Sequence, residues 1–82
     1  MLKLYDVVKL KNSRPEISVT EDNTGTIIDI VENGKAYSVE FFDENDQTIE
    51  ESIYEYFDES DLILVEPYSK VTPVNFELAS GK

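Results

Sequence analysis

A chain of 82 residues has room for one domain, and folding at that length hides only about 60–65% of the unfolded surface, so the core must be small. Eighteen Asp and Glu against seven Lys and Arg give a net charge of −11, which disfavours nucleic acid and anionic membrane as partners. With neither cysteine nor histidine, the chain lacks disulfides, thiolate metal sites and the commonest general base.

The opening Met-Leu-Lys-Leu-Tyr-Asp is not a charged stretch followed by an apolar run, so no signal peptide is expected. No run approaches the roughly 20 apolar residues that span a bilayer, and a cytoplasmic protein is expected. Residues 4–11 read as the first strand. Leu4, Val8 and Leu10 share one parity; Tyr5, Val7, Lys9 and Lys11 share the other. Asp6 falls on the apolar parity, where it either binds backbone amides of a neighbouring turn or marks a bulge.

Residues 12–24 form a long connection opened by Asn12-Ser13-Arg14-Pro15, with Ile17 and Val19 alternating against polar neighbours as in a short irregular strand pair. Residues 26–32 and 36–42 then read as two strands joined at Asn33-Gly34, the strongest short-range hairpin signal a sequence offers. The first is apolar on both faces, which predicts a central strand covered at least in part on both sides. The second alternates: Tyr37, Val39 and Phe41 against Ser38, Glu40 and Phe42.

Asp43, Asn45 and Gln47 echo the start of a calcium loop. Thr48 stands where that loop needs glycine and Tyr54 where it needs glutamate, so a hairpin turn is the expected structure. Residues 47–56 are expected as a strand, with a helical spacing (Ile49, Ile53, Tyr56, Phe57) as the alternative. Residues 57–61 read as a short 3₁₀ turn capped by Asp58 or Ser60, followed by the apolar strand Leu62-Ile63-Leu64-Val65 and the stop Glu66-Pro67.

These elements predict an all-β fold, a small SH3-like barrel of about five antiparallel strands with a 3₁₀ turn before the last, because closure hides strand edges. The domain is expected over residues 1–67. Residues 68–82 are a tail whose Val71, Val74, Phe76 and Leu78 suit packing on the barrel or on a partner.

The pieces Leu4-Tyr5-Asp6-Val7-Val8-Lys9-Leu10, Thr24-Gly25-Thr26-Ile27-Ile28 and Ala36-Tyr37-Ser38-Val39-Glu40-Phe41 resemble a bacterial domain family of unknown function. The similarity covers about residues 2–66, with Ala-Tyr-x-Val-Glu-Phe its most specific part. The resemblance implies an SH3-like barrel. Such small proteins can be encoded beside toxins and nucleases, which associates the family with an immunity or antitoxin role. Ser38 departs from a position often acidic in the family, and residues 50–61 are more acidic than its pattern.

The charge is uneven. Residues 1–15 carry Lys3, Lys9, Lys11 and Arg14 against Asp6, whereas residues 36–69 carry eleven carboxylates and no basic side chain. The plain reading of such a run is a solvated face. Carboxylate pairs such as Glu50/Glu51 do acid–base work only in a closed pocket, and no nucleophile–base set can be assembled, so no enzyme, metal or cofactor is expected. Carboxylates among aromatics suit a basic protein partner, with charge steering the encounter and Tyr or Phe as anchors. The expected contact residues are Glu40, Phe42, Glu50, Glu51, Tyr54, Glu55, Tyr56, Asp58, Glu59 and Asp61. The competing reading packs Tyr54, Tyr56 and Phe57 in the core or its rim. The expected function is therefore an immunity protein or antitoxin that neutralises a basic toxin or nuclease domain, without nucleic-acid or membrane binding. The alternative is a structural or adaptor module that self-associates, or serves as an accessory subunit, through residues 62–65 and the tail.

Overall fold

Strand and turn follow from where apolar side chains alternate and where the backbone must turn left-handed. The computed structural model describes residues 1–68, and residues 69–82 of the expected tail lie outside the described residues. Four antiparallel strands, β1 (Val7–Leu10), β2 (Thr24–Val31), β3 (Ala36–Phe41) and β4 (Leu62–Glu66), form one sheet in the order β3-β2-β1-β4. Among the described residues β3 and β4 are its two edges and do not pair with each other. The fold is all-β, with three short 3₁₀ helices at Pro15–Ile17, Glu50–Tyr54 and Glu59–Asp61. No helix among the described residues is long and apolar enough to cross a membrane.

One face of the sheet builds the core. Val8 and Leu10 from β1, Ile27 from β2, and Tyr37, Val39 and Phe41 from β3 are buried, as the alternation of β1 and β3 requires. Phe57 meets Phe41 edge to face at 5.6 Å, and Ile17, Val19, Ile49 and Leu62 close the cluster. Each such burial contributes roughly 1.5–3 kcal/mol, so a core this small leaves little surplus over chain entropy. In the long connection, Arg14 and Val19 exchange backbone hydrogen bonds of 2.8 and 3.2 Å around the first 3₁₀ helix, turning Ile17 and Val19 inward.

Strand β2 corrects the expectation of two-sided cover. Its register against β3 slips at Ile28: Ile27 lies opposite Val39, but Asp29 lies opposite Ser38. One unopposed residue reverses the parity that faces the core. Gly25 and Ile27 point in before the bulge and Ile30 packs against the core after it, while Ile28 stays exposed. Both parities are apolar because each serves one half of the strand. The hairpin loop places Glu32, Asn33 and Gly34 at φ +48°, +61° and +102°, and the Val31 carbonyl accepts from the Gly34 and Lys35 amides. Glycine removes the Cβ penalty at the most positive φ of the three.

The strand expected over residues 47–56 is instead a 3₁₀ helix preceded by a single bridge, Phe42 to Thr48. A strand would have aimed Glu51 into the core beside Ile49 and Ile53. The three-residue repeat puts Ile49 and Ser52 inward and leaves Glu50 and Glu51 in water. Ser52 is fully buried; its hydroxyl donates to the Ile49 carbonyl (2.7 Å) and accepts from the Phe41 amide (3.1 Å). With Ile49 N–H on the Phe41 carbonyl (2.8 Å) and two bonds between Tyr37 and Phe57, this segment covers the outer edge of β3.

Asp6, buried on the apolar parity, takes the first of the two roles expected of it. Its carboxylate accepts from the amides of Lys3 (2.9 Å) and Tyr68 (3.0 Å), and the β1–β4 register slips just beyond it, between Val7 and Val8.

Candidate functional site

Three turns enclose a groove of about 760 Å³ on the β3 side of the sheet, lined by Ser18, Thr20, Asn23, Asp43, Glu44, Thr48, Ile49, Glu50, Glu51 and Tyr54. The first wall is a turn locked by Asn23, whose Oδ1 accepts from the Thr20 amide at 2.7 Å. The second is the hairpin turn at Asp43. Its Oδ1 accepts from the amides of Asn45 (2.8 Å) and Gln47 (2.9 Å), so this oxygen closes the turn, and Asp46 sits at φ +62°. The third is the 3₁₀ helix Glu50–Tyr54, held by Ser52. A second cavity of about 450 Å³ shares Thr20, Asn23, Asp43 and Glu44 and extends to Phe42.

Four carboxylates and no basic side chain line the main groove. Glu44, Glu50 and Glu51 are exposed and make no hydrogen bond or ion pair within residues 1–68. Tyr54 at its rim is 77% exposed, and Tyr56, two residues on, is 64% exposed, so both are surface aromatics rather than core. Phe57 does pack in the core. Such a concavity offers negative potential, acceptor oxygens and flat aromatic faces, the features that receive a Lys or Arg side chain.

The other residues singled out from the sequence are engaged elsewhere. Glu40 accepts from the Thr48 hydroxyl at 2.7 Å on the solvent side of β3. Glu55 pairs with Arg14 at 3.2 Å; that guanidinium also binds Glu16 at 2.6 Å and lies 5.4 Å from the Phe57 ring centre. The hydrogen bond from Arg14 holds the Glu16 carboxyl below its ordinary pKa, and the same bond raises Arg14. Asp58 caps the helix Glu59–Asp61 by accepting from the Ser60 hydroxyl and amide, bonds that lower its pKa, and Asp61 accepts from the Asp58 amide at 3.4 Å to complete a capping box. Glu59 accepts from the Tyr37 hydroxyl at 3.2 Å and lies 3.7 Å from the terminal amine. Burial first, then this bond to Glu59, raises the Tyr37 pKa. The acidic run thus divides into a groove set, Glu50, Glu51 and Tyr54, and a set engaged in local structure, Glu55, Asp58, Glu59 and Asp61.

Asp43 and Glu44 join the groove although the sequence places them in a turn and not among the expected contact residues. Ser18, Thr20 and Asn23 could not have been found from it, since only the tertiary fold brings that loop across.

A model of the family described as "Domain of unknown function (DUF4926)" matches residues 4–52, which contain β1 to β3, the Asp43 turn and the start of the groove helix. No curated protein and no solved structure matches the chain.

Proposed function

For a chain that belongs to the DUF4926 family, a domain of unknown function, we propose a non-enzymatic role: binding a basic protein through the acidic groove. The partner class that suits it best is a toxin, in particular a nuclease whose active site is built for phosphate, so that this chain acts as an immunity protein or antitoxin. One observation carries the reading: Asp43, Glu44, Glu50 and Glu51 converge on one concavity without a neutralising cation among its lining residues, with the exposed ring of Tyr54 at its rim. Convergent unpaired carboxylates steer a cationic surface inward, and flat aromatic rings anchor it with little loss of side-chain entropy.

The test starts from a basic partner captured on the full chain from the native cell, then measured by calorimetry at two salt concentrations. Affinity is expected to fall with salt. Combined Glu44→Lys, Glu50→Lys and Glu51→Lys should weaken binding by at least about a hundredfold, since close interfacial charge pairs each contribute about 1.5 kcal/mol or more. A partner that is a nuclease should lose its activity when bound. An affinity indifferent to both salt and charge reversal refutes the proposal.

A further inference from the structure

The opposite edge of the sheet carries a different surface. Strand β4 has no strand neighbour beyond it among the described residues, and Ile63, Leu64 and Val65 are 47%, 46% and 47% exposed. Leu64 lies opposite Val8 and on the parity of buried Leu62, so the core stops at a half-exposed leucine. The Lys11 amide donates to the Asp61 carbonyl at 2.9 Å. By the alternation of an antiparallel ladder, Lys9 and Ile63 then face each other with their backbone groups, and the N–H and C=O of Leu64 point away from β1. Natural edges carry charge or proline against pairing, and this one has four apolar residues in succession.

Charge points to what covers it. Lys9 and Lys11 stand on β1 and just past it, in a chain of net charge −11, and neither makes an ion pair within residues 1–68. Within those residues Glu66 also lacks one. The register slip leaves Val65 unopposed and puts Glu66 opposite Val7, on the outer face shared with Lys9.

We infer that two copies of this chain pair antiparallel along β4, about a two-fold axis at Leu64. In that arrangement Leu64 meets Leu64 of the second copy and exchanges both backbone hydrogen bonds with it. The same slip leaves the second copy's Val65 unopposed and sets its Glu66 opposite Ile63, on the outer face and in line with Lys9, about 10 Å away across two strand spacings and within reach of an extended Lys–Glu pair. The edge is short and the buried area falls below that of a standard interface, so the dimer is weak and concentration-dependent. The acidic groove lies at the β3 end of the sheet and stays open in both copies.

Sedimentation velocity on the full chain across a wide concentration range tests this. The wild type is expected to shift from monomer to dimer. Leu64→Lys, which sets two ammonium groups face to face, should weaken the dimer more than about tenfold. Lys9→Glu and Glu66→Lys should each weaken it about fivefold, and the two together should restore it. Circular dichroism of each variant confirms the native sheet. A monomer at every concentration, or a dimer that Leu64→Lys does not weaken, overturns the inference; the former result includes the case in which residues 69–82 cover the edge within one chain.

Discussion

Ser52→Ala is a small change with a large expected cost. The Ser52 hydroxyl is fully buried and joins the groove helix to strand β3, donating to the Ile49 carbonyl at 2.7 Å and accepting from the Phe41 amide at 3.1 Å. Alanine removes both bonds, of which the one to the Ile49 carbonyl is worth about 1 kcal/mol net. It also leaves the Phe41 amide buried without an acceptor, a further cost of about 1–3 kcal/mol. The Ile49 carbonyl is less affected, because it still accepts from the Ser52 amide at 2.9 Å. The sum is about 2–4 kcal/mol, a large share of the roughly 4–12 kcal/mol expected for a domain of this length. The chain has no tryptophan, so urea unfolding is best followed by circular dichroism. The midpoint should fall with an unchanged slope, and the melting temperature should drop by about 10–20 °C. Ser60→Ala is the control: its hydroxyl is exposed and bonds only the Asp58 cap. If Ser52→Ala cost no more than Ser60→Ala, the claim that one hydroxyl anchors the groove wall would be wrong.

Two more outcomes follow from packing and titration. A Cβ on Gly25 would lie 2.7 Å from Val39 Cγ1, 2.8 Å from Phe41 Cδ1 and 2.9 Å from the Glu40 carbonyl oxygen; since backbone cannot yield, Gly25→Ala should lose about 3 kcal/mol or fail to fold, read by the same unfolding curves. Tyr37 has a folded pKa raised above 10.0, so its stabilising contribution is complete below pH 10 and declines as pH rises from there through the raised value. Tyr37→Phe should cost about 1 kcal/mol at neutral pH through the lost bond to Glu59. It should also flatten the alkaline decline of stability relative to the wild type, and an identical alkaline slope in both proteins would contradict the assignment.

Much of this protein is legible along the chain because local chemistry decides it. Alternation in residues 36–41 determined which side of β3 is buried, and the Asn33-Gly34 pair determined where the hairpin turns. Asp6 on an apolar parity announced a bonded carboxylate, and Asp58 announced a cap. The family resemblance rested on the same strands that the family match spans. Other features depend on neighbours distant in sequence. A two-sided apolar strand reads alike whether it is covered twice or bulged once, and only the slip of β2 against β3 at Ile28 decides between them. Residues 47–56 carry β-branched side chains at weak alternation, and the need to keep Glu51 out of the core while Ser52 reaches the Phe41 amide selects the 3₁₀ helix. Composition placed the negative charge in one half of the chain. Tertiary structure sorted it, tying Glu55 to Arg14 and Glu59 to Tyr37 while leaving Glu44, Glu50 and Glu51 unpaired around a groove whose far wall comes from residues 18–23. A carboxylate's availability depends on which cation or hydroxyl the fold carries to it, and sequence order does not encode that distance.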